Sequence, residues 1–96
     1  MAVVIREEQT AHYGNLRSTY RTLALSVDGC DLTVMTRTPD AESDARSYVT
    51  VVVENAAHRA WRSMGREFPS LDAAIAKYRD RKVVSGLEFV KSHFAA

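Results

Sequence analysis

Cysteine is almost absent from this chain of 96 residues, in which Cys30 stands alone. One thiol can form neither an intrachain disulfide nor a cysteine-rich zinc site. Without a disulfide framework the default compartment is cytoplasmic, and we predict that location. Cys30 itself is expected to be a small core residue beside a turn, because nothing near it in sequence would lower its pKa and make it reactive.

Long apolar runs are missing too. No stretch of about 18 apolar residues occurs, so we expect no membrane-spanning helix and no membrane partner. The first ten residues, MAVVIREEQT, hold a short apolar stretch followed by charge, which does not fit a secretion signal. The hydrophobic share of 46% and the charged share of 26% are ordinary for a globular protein. We therefore predict one folded domain over residues 1–96.

Recognisable catalytic and cofactor motifs are absent. The histidines, His12, His58 and His93, have no metal-binding spacing, and the four glycines are scattered rather than grouped in a phosphate loop. No nucleophile elbow occurs. We predict no catalytic residue, no metal and no cofactor. A small enzyme is the least favoured of three function classes, and it stays open because active residues need not be neighbours in sequence.

Charge is distributed unevenly along the chain. Residues 1–55 carry five arginines against eight acids, and residues 56–96 carry eight lysines or arginines against four acids. The halves can offset each other in the fold or between two copies, or the basic half can bind an acidic partner. Part of the basic half is the cluster of Lys77, Arg79, Arg81 and Lys82, which would suit the carboxyl end of a helix. Whether that cluster also binds a partner is left open.

What the chain does contain is a clear hairpin between Thr19 and Thr38. Asp28-Gly29 separates two alternating runs, which is the signal for a two-residue turn of type I′. A one-residue slip would move every side chain of one strand to the other face, so the agreement of turn and pattern fixes the register. The apolar face then pairs Val27 with Cys30, Leu25 with Leu32 and Leu23 with Val34, and the other face pairs Ser26 with Asp31, Ala24 with Thr33, Thr22 with Met35, and Tyr20 with Arg37.

Two further segments have strand character. Val3–Glu8 can form a strand or a short helix, because the pattern is too short to decide, and residues 12–17 read as a loop. Tyr48–Glu54 is rich in β-branched residues and is predicted as a strand. Its core-facing residues would be Val49, Val51 and Val53.

A fourth long strand is predicted through Trp61. A three-residue turn at residues 55–57 would set Val51 opposite Trp61 and Val49 opposite Ser63, whereas a four-residue turn would bring Ala60 opposite Val51. The first is preferred because it buries the tryptophan. Phe68 is then expected to pack under the start of a helix.

Helical periodicity begins after Pro69. Ser70 is a good N-cap, and a helix is predicted over about Leu71–Arg81, with Ile75 at the centre of its apolar stripe. Ser85 and Glu88 match a capping box, which predicts a short terminal helix over Gly86–His93. A strand over residues 83–90 is the alternative for this last segment.

The predicted fold class is α+β. An antiparallel sheet of four to five strands, built as a meander or from hairpins, carries a C-terminal amphipathic helix on one face, with a possible short second helix. The second face of such a sheet is often left open.

This second face supplies the candidate site. On the predicted registers it holds aromatic, methionine and arginine side chains, which suit a protein contact. We therefore expect a small non-catalytic interaction or regulatory protein that binds a second copy of itself, as a homodimer, or another protein. The alternative is a module for single-stranded nucleic acid, since arginine and tyrosine can neutralise phosphates and stack bases. The candidate residues are Tyr20, Met35, Arg37, Tyr48, Val52, Arg62 and Met64.

Overall fold

The computed structural model describes residues 2–55 and 65–96. These form a five-stranded antiparallel sheet in the order β1-β2-β3-β4-β5, followed by two helices, so the predicted α+β class is confirmed. Neighbouring strands are consecutive in the chain, which makes the sheet a meander. The elements are β1 Val3–Tyr13, a 3₁₀ turn Gly14–Leu16, β2 Ser18–Val27, β3 Cys30–Pro39, β4 Tyr48–Asn55, β5 Arg66–Phe68, α1 Leu71–Lys77 and α2 Arg81–Ala95.

The hairpin of β2 and β3 has the predicted register along its whole length. Asp28 and Gly29 both have positive φ, 47° and 84°, as a type I′ turn requires. Its right-handed twist matches the twist of the two strands, so the turn and the alternating apolar pattern select the same pairing. All seven predicted pairs, from Val27 with Cys30 to Tyr20 with Arg37, are present.

Strand β1 confirms the strand reading of Val3–Glu8 but is longer than predicted. It continues to Tyr13, so the expectation that His12 and Tyr13 lie in a loop is wrong. The reason is tertiary, because β1 pairs with β2 from Val3 opposite Val27 to Tyr13 opposite Ser18. One irregularity, a bulge between Ile5 and Glu7, interrupts this pairing.

Strand β4 forms as predicted, but its pairing with the following segment differs. Val49 lies opposite Phe68 and Val51 opposite Arg66, so the predicted partners Ser63 and Trp61 are wrong. Phe68 is buried in the core, as expected, and it lies opposite Val49, where Ser63 was predicted. The predicted strand through Trp61 itself lies outside the described residues.

The two helices divide the C-terminal segment differently from the prediction. Ser70 caps α1 as expected, and its hydroxyl accepts a hydrogen bond of 3.1 Å from the amide of Ala73. Helix α1 ends at Lys77, because Tyr78 has extended dihedral angles, so the predicted end at Arg81 is wrong. The carboxylate of Asp80 then caps α2 by accepting from the amides two and three residues later, at 2.8 and 3.3 Å.

Helix α2 is correspondingly longer than the predicted segment Gly86–His93, and the strand alternative is wrong. Ser85 lies inside α2 and is not its N-cap. The basic cluster is also split: Lys77 is in the last turn of α1, whereas Arg81 and Lys82 open α2. The dipole disfavours positive charge at a helix start, so helix stabilisation explains only the first part of the cluster.

The core lies between one face of the sheet and both helices. Helix α2 packs on β2 and β3, and α1 packs on β4 and β5. Ala74, rather than Ile75, is the fully buried residue of α1, so the predicted centre of the stripe is wrong by one position. No helix of the described residues is long and apolar enough to cross a membrane. The buried core residues are Leu23, Leu25, Val27, Leu32, Val34, Val49, Val51, Val53, Phe68, Ala74, Val83, Leu87 and Val90.

Candidate functional site

The face of the sheet opposite α1 and α2 is called the open face below. Alternation along the strands assigns its residues in rows that run across β2, β3 and β4. The aromatic end is the row Tyr20, Arg37 and Tyr48. The middle rows are Thr22, Met35 and Thr50, then Ala24, Thr33 and Val52. The acidic end is the row Ser26, Asp31 and Glu54.

At the aromatic end, Arg37 lies between two tyrosines. Its guanidinium carbon is 5.6 Å from the centroid of the Tyr48 ring, a cation–π contact. The same side chain donates a hydrogen bond of 3.0 Å from Nε to Oγ of Ser18, which is fully buried. Tyr13 meets Tyr20 edge to face, with the ring centroids 5.5 Å apart. These contacts hold a cation and three aromatic rings in one small area.

Burial raises the pKa of Tyr48 above its ordinary value of 10.0. The adjacent Tyr20 hydroxyl raises this pKa further, while the positive charge of Arg37 lowers it. Tyr48 is therefore neutral at physiological pH and presents a hydroxyl beside a cation. This combination can donate and accept hydrogen bonds across an interface, but it supplies no nucleophile.

The middle rows carry no charge. Thr22, Thr33, Met35 and Thr50 are partly buried, and Ala24 is buried although no described helix covers it. The six residues of these rows are alanine, threonine, methionine and valine, so they offer few polar groups that could bind a small ligand.

At the acidic end, Asp31 accepts a hydrogen bond of 2.5 Å from the hydroxyl of Ser26. Arg6, in the bulge of β1, reaches the same carboxylate with a longer contact of 3.8 Å between Nε and Oδ1. Glu54 lies next to Asp31 across the β3–β4 pairing. Two further carboxylates of the open face lie outside the acidic end, on the strands that flank the middle rows: Glu7 on β1 beside Ala24, and Glu67 on β5 beside Thr50.

Five of the predicted site residues are thus brought together on one face: Tyr20, Met35, Arg37, Tyr48 and Val52. The other two, Arg62 and Met64, lie outside the described residues. Sequence reasoning missed Tyr13, because it placed the residue in a loop. Its signal was the alternation of Gln9, Ala11 and Tyr13, which continues β1 in phase with the open face.

Other clusters of polar residues in the described part of the chain lie away from the open face. His12 contacts both carboxylate oxygens of Asp40, at 2.9 and 3.1 Å, and His93 contacts Glu8 at 2.7 Å. Both pairs fasten β1 to neighbouring segments. No group of three or more metal-ligating side chains occurs within residues 2–55 and 65–96.

Two hollows are described among residues 2–55 and 65–96. The larger, of about 510 Å³, lies between α1 and α2 beside the ion pair of Asp72 and Lys91, whose Oδ1 and Nζ are 2.6 Å apart. The smaller, of about 240 Å³, lies beside Tyr48 and is lined by Arg46 and Glu67 among others. Charged and apolar side chains both line each hollow, with Ile75 and Ala95 in the larger and Phe68 and Pro69 in the smaller.

Comparison with known proteins adds no further constraint on the site. No family model matches the chain. No curated protein and no solved structure matches it either.

Proposed function

We propose that this chain is a small non-catalytic interaction or regulatory protein whose open face binds another protein. The observation that carries the proposal is the pair of middle rows, which form an uncharged surface at the centre of the sheet: Thr22, Met35 and Thr50, then Ala24, Thr33 and Val52. Both helices pack on the other face, so none of the described helices covers these residues. We infer that the protein works in the cytoplasm, since its single cysteine offers no disulfide.

The residue types of the open face support a protein partner. Tyrosine, methionine and arginine are enriched in protein interfaces, whereas lysine is depleted. The described residues of this face include Tyr13, Tyr20, Tyr48, Met35 and Arg37, and they include no lysine. Tyrosine also presents a large contact area with little conformational entropy to lose, which favours it at binding surfaces.

Single-stranded nucleic acid is the alternative partner, because Arg37 lies between two tyrosines that could stack on bases. The charge of the face counts against it. The described residues there carry four carboxylates, Glu7, Asp31, Glu54 and Glu67, against the guanidinium groups of Arg6 and Arg37. A net negative surface repels phosphates, and phosphate contacts provide most of the affinity for nucleic acid.

Site-specific photo-crosslinking in the cells that make the protein tests the proposal. A photoreactive residue in place of Met35, in a middle row, should give a discrete protein adduct. The matched control places the same residue at Glu88, which is exposed on α2 on the other side of the molecule. Absence of an adduct at the first position, or the same adducts at both, would contradict a protein-binding open face.

Binding to a fluorescent single-stranded oligonucleotide at increasing salt separates the alternative. We expect weak binding with little dependence on sequence. Tight binding that falls steeply with salt, through release of counterions, would favour the nucleic-acid function. Loss of that binding in Arg37→Gln, with retention in Arg81→Gln on α2, would assign it to the open face.

A further inference from the structure

We propose that the partner of the open face is a second copy of this chain. The two open faces stack on each other, related by a two-fold axis that lies between the sheets and runs perpendicular to the strands. This inference rests on the proposed function, because it names the protein that the face binds.

Opposite charges at the two ends of the face carry the inference. Arg37 at the aromatic end is partly buried, and it forms no ion pair within residues 2–55 and 65–96. The acidic end offers two carboxylates, Asp31 and Glu54, of which Asp31 is only 18% exposed in its side chain and has one long ionic contact. A partly buried cation and a partly buried carboxylate each gain from a partner of opposite charge.

The symmetry follows from where these charges lie. Arg37 and Asp31 are both on β3, the central strand, six residues apart and therefore separated by about 20 Å. A two-fold axis perpendicular to the strands reverses the strand direction and brings Arg37 of each copy over Asp31 of the other. An axis parallel to the strands would instead place like charges together.

The same operation matches the remaining rows. The axis crosses the three strands at the level of one row of paired residues, Leu23 on β2, Val34 on β3 and Val51 on β4. The side chains of this row are buried in the core on the other face. Each row of one copy therefore meets a row of the other at equal distance from the axis. The contacts are Tyr20 over Ser26, Arg37 over Asp31 and Tyr48 over Glu54 at the ends, with Thr22 over Ala24, Met35 over Thr33 and Thr50 over Val52 in the middle.

Size and shape are compatible with this stacking. Six residues along the four long strands, β1 to β4, give a face of roughly 15 by 20 Å between backbone atoms, and on the order of 500 Å² with its side chains. Two copies would bury about 1,000 Å², which is about the least that a specific interface needs. The short side chains of the middle rows allow two sheets to approach to the usual spacing of about 10 Å.

Reversing the charges of Arg37 and Asp31 tests whether these two residues pair between copies. Sedimentation equilibrium at micromolar concentration should give twice the monomer mass of 10.7 kDa for the natural chain. Arg37→Asp alone and Asp31→Arg alone should each weaken self-association by on the order of 100-fold, since two like-charged contacts are created in each dimer. An equimolar mixture of these two variants should associate again, and so should the double variant.

Cysteine pairing tests the geometry without changing the charges. In a Cys30→Ala background, copies with Tyr20→Cys and copies with Ser26→Cys should form a mixed disulfide with each other. Each variant alone should form few disulfide-linked dimers, because the same position in the two copies is about 20 Å apart in the stacked arrangement. Circular dichroism of every variant shows whether it is folded before its association is compared.

Either of two results would overturn the self-pairing. One is a monomer at all concentrations, and the other is a dimer that Arg37→Asp leaves intact or that forms the self-disulfides as readily as the mixed one. A monomer that still gives a Met35-specific adduct with a different protein would refute the self-pairing and leave the protein-binding function in place. A monomer without any such adduct would refute both.

Discussion

At the scale of single residues, the turn of the β2–β3 hairpin depends on its backbone conformation. Asp28 and Gly29 both lie in the left-handed region, at φ of 47° and 84°. A β-branched side chain strongly resists that conformation. Gly29→Val should therefore reduce the free energy of unfolding by on the order of 1 kcal/mol or more, measured by urea denaturation.

Gly14 provides the matched control for this substitution. It also lies in a tight connection, but its φ is not positive, and an added Cβ would meet no atom within 4 Å. Gly14→Ala should change the free energy of unfolding by less than about 0.5 kcal/mol, as is usual at the surface. Equal effects at the two glycines would show that the β2–β3 turn does not depend on its left-handed residues.

At the scale of elements, α2 rather than α1 provides the main helical contribution to the core. Leu87 is fully buried, whereas Ile75 is only partly buried near the hollow between the helices. Leu87→Ala should destabilise the protein by about 2–5 kcal/mol through lost transfer energy and a cavity. Ile75→Ala should cost clearly less, and a larger effect at Ile75 would contradict the packing described above.

Gly86 allows α2 to lie close to the sheet. A Cβ at position 86 would collide with the side chain of Leu32, which is fully buried. Glycine therefore lets the helix rest directly on β3. The capping pattern in the sequence predicts Gly86 at the start of a helix, because that pattern is local and contains no information about a contact with a strand 54 positions earlier.

Capping of α2 gives a second prediction at this scale. Asp80 accepts hydrogen bonds from two amides of the first turn, whereas Ser85 lies one turn inside the helix. Asp80→Ala should cost about 0.5–2 kcal/mol in thermal or urea unfolding. Ser85→Ala should be close to neutral. A larger loss of stability in Ser85→Ala than in Asp80→Ala would instead support a capping box at Ser85 and a terminal helix limited to the segment predicted from the sequence.

At the scale of the whole molecule, stability should fall at alkaline pH. Burial is the main cause that raises the pKa of Cys30, Tyr48 and Tyr78 above their ordinary values of 9.0, 10.0 and 10.0. The unfolded chain loses these protons first, so the contribution is complete below about pH 9 and declines as the pH rises through the raised folded values. Urea unfolding from about pH 8 to about pH 11 measures the decline.

Two variants isolate these groups from the lysines, which also titrate at alkaline pH. Cys30→Ala should remove the part of the decline that begins near pH 9, and Tyr78→Phe should remove part of the decline above about pH 10. If both variants lose stability with pH as steeply as the natural chain, the buried thiol and phenol groups are not the cause.

The sequence by itself determined the β2–β3 hairpin, the strand character of β4 and the cap of α1. In each case the deciding information is local: two turn residues with positive φ, a run of alternating apolar positions, and one hydroxyl three residues before the amide it caps. From these elements it also predicted that Tyr20, Met35, Arg37, Tyr48 and Val52 share one face, because the period of a strand is two.

Only the tertiary structure decided the length of β1, the partner of β4 and the division between α1 and α2. Tyr13 is in a strand because β2 offers it a pairing partner, and Val49 lies opposite Phe68 because that side chain fills the core. Helix α1 ends before Tyr78 although the apolar period continues through that residue, and the two helices then pack on different strands, α1 on β4 and β5 and α2 on β2 and β3. Each of these outcomes depends on which distant surface is available, and local propensity does not contain that information.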